Sequence, residues 1–270
     1  MTPPSGDSRA FTLIEILVAC AVGAILLVAL TSIVGQSLTI SKRSNNVLLA
    51  NNAASAAVEL VARDIESLAA SAKPYEYLHV AKENVDGVTD VARLLMLSYS
   101  GFYATNAPDY GQVRAISYRL LHQDPINPTG TRNIYGLYRS IAPSGNTFSN
   151  YLGQTNLAAP FGSLATSLDD FLVGNVIDFQ IRVYPDGNQP PANASGNAVQ
   201  PVRLSGNSAQ IQGTPHTGAP LRWAEVSLTI LEDRDNAVSR FESGELGLEE
   251  ARSKYGFRLS RRVPVRAPIF

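Results

Sequence analysis

Residues 16–35 contain no charged side chain. As a helix those positions span about 30 Å at ~1.5 Å per residue, the thickness of a bilayer's hydrocarbon core. Nothing else in the 270-residue chain constrains its fate as strongly. A helix that is apolar on every side cannot face water, so it demands lipid or an equally apolar assembly. Ahead of it stands a polar stretch, MTPPSGDSRA, with one Arg9 and one Asp7. The apolar run is too long for the core of a secretory signal, and no small-x-small site followed by a polar start closes it. The segment reads as a membrane anchor or a helix buried in an apolar assembly.

One carboxylate stands at its entrance. Glu15 is the fifth residue of the apolar stretch that begins at Phe11. A carboxylate near lipid costs a few kcal/mol and usually has a partner or a role, the plainer reading being a side chain that reaches headgroup water. The polar leader, then Phe11-Thr12-Leu13-Ile14-Glu15, then about twenty apolar residues, resembles the N-terminus of type IV prepilins and type II secretion pseudopilins. The resemblance covers about residues 6–40, under a fifth of the chain.

The resemblance implies a leader of residues 1–10, removed by a membrane aspartyl peptidase that cuts between Ala10 and Phe11 on the cytoplasmic face. It implies N-methylation of the new Phe11 amine and makes Glu15 the fifth residue of the mature chain. The carboxylate would then lie one helical turn from a cationic amine. Between neighbouring subunits, each Glu15 would complement the adjacent Phe11 amine, and breaking one partner of such a poorly solvated pair is worth ~3–5 kcal/mol. Other implied partners are minor and major pilins or pseudopilins and the inner membrane. The implied topology is single-pass, with the N-terminus cytoplasmic before processing and the C-terminal domain periplasmic or extracellular. Lys42 and Arg43, just past the apolar run, oppose that topology by the positive-inside rule, against Arg9 and the initial amine before it.

Two departures narrow the resemblance. The family usually has Gly before the cut, and this chain has Ala10. Many major pilins carry a proline about twenty residues into the mature helix, whereas Ala29-Leu30-Thr31-Ser32-Ile33 has none. With the chain's size and layout, this looks like a minor subunit of the J-type pseudopilin or W-type pilin kind. Filament assembly or its initiation is the function implied. A tip pilin that binds DNA or a surface ligand is the alternative. A lipoprotein anchored through Cys20, from the box-like Leu17-Val18-Ala19-Cys20, is a remote one, because mostly apolar residues follow Cys20 where a lipoprotein has a polar tether.

Past residue 36 the pattern changes. Ile40, Val47, Ala54, Val61 and Leu68 recur every seven residues, with Val58 and Ile65 between them, which predicts one apolar stripe on a continuing helix. Glu59 and Arg63 are spaced for an i,i+4 pair. Lys73-Pro74 ends the pattern, so the helix is expected over roughly 11–72. Its first part, 11–36, is the membrane or filament-core half. Residues 37–270 form the globular domain, with 37–72 as its helical spine and 75–270 rich in β-structure. Beyond Pro74 a period of two predicts strands at Leu94–Tyr99, Val113–Leu121, Ile134–Arg139, Val176–Tyr184, Trp223–Leu231 and Phe257–Val265. In Val176–Tyr184, Ile177, Phe179, Ile181 and Val183 alternate with Asp178, Gln180 and Arg182, which predicts antiparallel sheets with one wet face. A helix at about Glu245–Tyr255 should stop at Gly256. Residues 141–168 and 185–220 read as long loops, the second with six prolines and five glycines. The fold class is therefore α+β: a long N-terminal helix, anchor plus spine, then an antiparallel β-rich pilin-like domain.

The sequence offers little chemistry. Charged residues are 17%, against roughly 25% in a typical soluble domain. The formal net charge of −1 gives no electrostatic case for nucleic acid as a partner. One cysteine excludes an intrachain disulfide and a cysteine-rich zinc site. No phosphate loop, nucleophile elbow or zinc-protease motif is present, so no enzyme activity and no cofactor are expected. His79, His122 and His216 show no partners nearby in sequence. Asp233, Asp235 and Asn236 are the only calcium candidates, and their spacing, without a downstream bidentate Glu, favours a solvated turn. Arg258, Arg262 and Arg266 line one face of the last strand; they read as an exposed sheet face or as ion-pair partners of Glu249 and Glu250, with contact to acidic partners or DNA as the functional alternative.

Overall fold

The computed structural model describes residues 13–99, 112–127, 130–184, 200–206, 208–211, 213–217 and 223–265. It has a long N-terminal helix and an antiparallel β-rich domain, an α+β architecture. Helix α1 runs Leu13–Glu66. No proline interrupts it, and Gly23 and Gly35 are its only glycines. The chain divides into two compact units, residues 1–49 and 50–270.

In the first unit every apolar side chain from Leu13 to Ile40 is exposed. In the second, Ala54, Val58, Val61 and Ile65 of the heptad stripe are buried, and Ala57 and Ala62 widen that face. The stripe is thus a core-facing seam only from Ala54 onward; Ile40 is exposed and Val47 half-buried. The helix ends six residues before the expected position. Sheet pairing competes for the backbone there: Leu68 forms a β-bridge with Ser98, Ala69 N–H donates to Leu97 and Tyr99 N–H donates to Ser67. Ser98 Oγ also donates to the Asp64 carbonyl, at 3.0 Å, satisfying one of the orphan acceptors of the last turn.

Eleven strands follow among the described residues: β1 (Glu76–Val85), β2 (Val88–Ser98), β3 (Arg114–Gln123), β4 (Ile134–Ile141), β5 (Phe171–Val173), β6 (Val176–Tyr184), β7 (Val202–Ser205), β8 (Ser208–Ile211), β9 (Thr214–Thr217), β10 (Trp223–Leu231) and β11 (Gly256–Pro264). They make an eight-stranded sheet, β5-β4-β3-β2-β1-β7-β8-β9, and a three-stranded sheet, β11-β10-β6, antiparallel throughout. The inward faces of both sheets and of α1 after Ala50 share one buried cluster.

All six expected strands are present, and β6 and β10 have the expected bounds. The first strand was not expected. It joins β2 through the two-residue turn Asp86-Gly87, both with positive φ, the backbone that suits a hairpin's twist. The expected 185–220 loop holds β7, β8 and β9, and short helices at Ser144–Asn146, Thr147–Tyr151 and Ala158–Phe161 occupy the expected 141–168 loop. Leu157 and Phe161 are fully buried there, which anchors those turns without a periodic pattern. Helices at Ala237–Glu242, Leu248–Glu250 and Ala251–Tyr255 replace the single one expected. Gly256 is not a left-handed stop; its φ is −80° and it begins β11, where a Cβ would collide with the Arg252 carbonyl.

The wet face expected of β6 is dry. Asp178 and Gln180 are 3% and 0% exposed. Facing strands explain this: Ser227 and Thr229 of β10 stand beside them, and the Arg252 side chain covers that end by donating to the Ile177 carbonyl and Asp178. Neighbouring polar groups, rather than water, satisfy this face.

Candidate functional site

Ala10 and Phe11 lie outside the described residues, as does Arg266. Glu15 stands in the first turn of α1 and is exposed, where a carboxylate suits the positive end of a helix. Around it the helix surface is apolar on every side: Leu13, Ile14, Leu17 and Val18 are each more than half exposed. Residues Leu13–Ser41 are long and apolar enough to cross a membrane, and none of the most apolar window is buried.

The few polar side chains in this stretch are turned back onto the helix. Thr31 Oγ1 donates to the Val28 carbonyl and Thr39 Oγ1 to the Gly35 carbonyl, both at 2.9 Å, and Gln36 reaches Ser32. Such back-bonding satisfies hydroxyls without water, as an apolar surrounding requires. Cys20 is exposed within the continuous helix. Chemically, this surface can insert into lipid or pack against other apolar helices, with Glu15 as its one charge.

In the second unit, two buried carboxylates hold the domain together. Asp64 of α1 is 1% exposed; its Oδ2 accepts from the Tyr118 hydroxyl at 2.6 Å and from Arg139 Nε at 2.8 Å. This cluster fixes the helix's last turns to β3 and β4. Glu76 of β1 accepts from His79 at 3.1 Å, from Arg203 of β7 at 2.6 Å and from the Leu157 amide at 2.5 Å. Burial alone would raise the Glu76 carboxyl, but the hydrogen bonds from His79, Arg203 and Leu157 outweigh it and hold the group below its ordinary value. Asp178 goes the other way: burial pushes it up, and Arg252, Gln180 and more distant arginines offset this only in part.

The expected pairings are corrected in several places. Glu59 pairs with Arg261 of β11, an exposed side chain that stands between Leu259 and Val263 along one face of the strand, and not with Arg63. Glu249 and Glu250 pair with Arg252 and Lys254. Arg258 instead donates to Ser227 Oγ, and Arg262 lies 4.0 Å from Glu225 and over the Tyr184 ring. His79 has Glu76, and His122 has Asp86 at 3.0 Å and stacks on Tyr135, so neither lacks a partner.

Asp233, Asp235 and Asn236 lie in a turn where Asp235 and Asn236 both have positive φ, and Asn236 precedes the helix Ala237–Glu242. Between them Arg234 donates to the Lys254 carbonyl and lies over the Tyr255 ring. Among the described residues no three His, Cys, Asp or Glu side chains converge where a metal ion would sit. Sequence reasoning missed Asp64 and Glu76, since their partners are up to 75 and 127 residues away. The one signal for Asp64 was its place beside Ile65 on the buried seam.

Residues 6–31 match the family model described as a prokaryotic N-terminal methylation motif. No curated protein and no solved structure matches the chain.

Proposed function

Starting from a chain whose N-terminus is that of the type IV prepilin and pseudopilin family, we propose that it is a minor pilin or pseudopilin that acts in assembling or initiating a filament. The observation that carries this is the stretch Leu13–Ser41, apolar on all sides and unburied, directly within and after the methylation motif. Such a surface is covered by lipid before assembly and by other helices afterwards. The motif implies processing by the prepilin peptidase and pilin partners in general.

In this reading the cut falls between Ala10 and Phe11, Phe11 is N-methylated, and Glu15 complements the Phe11 amine of a neighbouring subunit. The domain from residue 50 onward lies outside the cytoplasm. The chain is the peptidase's substrate and performs no catalysis or cofactor chemistry of its own; its sequence lacks the motifs that would supply either. Its subunit type, J-like or W-like, rests on size and layout, and the absence of a proline near residue 31 favours a minor over a major subunit.

Intact-mass measurement of the chain extracted from membranes tests the processing step. The expected mass corresponds to residues 11–270 plus one methyl group. A lipidated chain starting at Cys20, or an uncut one, overturns the reading. Co-purification with other pilins from the same membranes tests the assembly role.

A further inference from the structure

Antiparallel sheets end in edges, and the four edges of this domain are not treated alike. The large sheet ends in β5, three residues long, and in β9, four residues long and interrupted by Pro215. Strands so short offer a poor template for another chain. In the small sheet, two outward groups of β6 are engaged, one near each end: Val183 N–H donates to Gln200 Oε1 at 2.9 Å, and the Ile177 carbonyl accepts from Arg252 at 3.4 Å.

The other edge of that sheet, β11, differs. It is nine residues long, and Arg258, Ser260 and Arg262 are exposed. The ladder fixes where its backbone groups point. Glu232 N–H donates to the Tyr255 carbonyl at 2.9 Å, so these facing residues form a hydrogen-bonded pair. Alternation along the antiparallel register then makes Phe257, Leu259, Arg261 and Val263 the residues bonded to β10. The amides and carbonyls of Arg258, Ser260 and Arg262 point away from β10, and among the described residues no strand pairs with them.

The side chains say what fits. Arg258, Ser260 and Arg262 share one face, with the two arginines about 13 Å apart at ~3.3 Å per residue. Arg258 makes one hydrogen bond, to Ser227, out of the five a guanidinium offers, and Arg262 has the 4.0 Å contact to Glu225 and the Tyr184 ring beneath it, which leave donors of both for a further carboxylate. A second copy of β11 would set arginine against arginine. The longer segments outside the described residues hold at most one carboxylate each: Asp7, Asp109 and Asp186. Neither source matches two arginines four residues apart.

We propose that β11 is a docking edge for an extended acidic segment of another subunit, added as a fourth strand with carboxylates opposite Arg258 and Arg262. Main-chain bonds would supply affinity and the two arginines specificity. The source of the segment rests on the assembly function proposed above; the edge itself rests on the β10–β11 register.

The test is residue-resolved amide hydrogen exchange on the full chain in detergent. The probe is a capped peptide, Thr-Asp-Val-Thr-Val-Asp-Thr, at millimolar concentration, with its Lys-for-Asp counterpart as control. At a concentration ten times Kd, the Arg258, Ser260 and Arg262 amides should slow by about tenfold. Leu259, Arg261 and Val263, already bonded to β10, should not change. Ser260→Pro removes one outward N–H and no ladder bond, so it should abolish the effect and leave Leu259 and Arg261 protected. Reversing both charges, Arg258→Glu with Arg262→Glu, should transfer the effect to the Lys peptide. Slowing of both parities, no slowing, or equal binding of the two peptides by the unmodified chain overturns the proposal. An incorrect N-terminus by mass would instead overturn the processing step and leave the alternation intact.

Discussion

The two parts of α1 are built from similar residues and meet opposite conditions. From Leu13 to Ile40 Val, Leu, Ile and Ala occupy every side, and none is buried. From Ala54 to Ile65 most of the same residue types keep to one face, at positions 54, 57, 58, 61, 62 and 65, and that face is buried almost completely, while Ala56 is exposed and Leu60 half-buried. Glu59, Arg63 and Glu66 take the other face. The difference is in distribution, and it separates a helix that needs the rest of its own chain from one that needs lipid or other chains. Hydrogen-bonding groups follow the same division: Thr31 and Thr39 turn back onto their own helix, whereas Asp64 reaches β3 and β4.

The same substitution in each part should break different things. Val61→Asp puts an unpaired carboxylate into a fully buried position and should cost about 4 kcal/mol or more, enough to abolish cooperative unfolding of the domain. Val22→Asp should leave the domain's thermal midpoint unchanged, while membrane partition weakens by about 2.5–3.5 kcal/mol. Thermal unfolding of the full chain in detergent and flotation with liposomes read the two effects. A large loss of domain stability from Val22→Asp would erase the distinction.

Next in size is the buried cluster at Asp64. Asp64→Ala strands Arg139 and Tyr118 in the core and should destabilise by about 3–5 kcal/mol. Asp64→Leu combined with Arg139→Met should recover most of that loss, since removing both charges also removes their desolvation cost. Denaturant midpoints of the two variants decide it. A double variant as unstable as the single one would mean the pair contributes net stability.

Smaller still is the pH dependence. The Glu76 carboxyl is held below its ordinary value, so its contribution is full above about pH 4.5 and is lost as pH falls through its folded-state value. Glu76→Gln should cost about 1.5–3 kcal/mol at neutral pH and flatten the acid side of the stability profile. Asp178 is raised by burial, so its ionised form opposes folding and that opposition is relieved as pH falls. Asp178→Asn should therefore cost less at neutral pH than Glu76→Gln. Unfolding midpoints between pH 3 and 8 measure both.

How much could be read beforehand divides along similar lines. The uncharged run at 16–35, the seam from Ala54 to Ile65 and the bounds of β6 and β10 follow from composition and period alone, because burial imposes both. The Asp86-Gly87 hairpin was also legible, and its turn signal would have found β1. Other features were not. Strands β7, β8 and β9 are four residues each among Gly, Ser and Pro, too short to display a period. The dry face of β6 carries Asp, Gln and Arg, which alternate as a wet face would; only the facing Ser227, Thr229 and Arg252 reveal otherwise. Asp64 and Glu76 are fixed by residues far away in sequence. At the N-terminus, FTLIE followed by apolar residues could be recognised because that segment is identified by its composition, whereas the domain's work depends on contacts that composition does not record.

Glu15 should show the smallest effect on the domain and the most specific one on assembly. It stands in the first turn of α1, on a helix surface without other charges. Glu15→Gln keeps the shape and removes the charge, so the domain's unfolding midpoint should not move. Removing a charge from an apolar stretch also favours membrane insertion. If Glu15 complements the Phe11 amine of a neighbouring subunit, the remaining consequence is an uncompensated amine in a poorly solvated interface. Co-purification with partner pilins should then fall by at least about tenfold, equivalent to ~1.4 kcal/mol, while the mature mass still corresponds to a start at Phe11. Glu15→Asp, one methylene shorter with the charge retained, should recover part of the loss, which a purely steric role would not allow. Normal co-purification of Glu15→Gln with normal processing would remove Glu15 from assembly and leave it a headgroup-level residue. The N-terminal half of α1 would then be held in the filament by apolar packing alone.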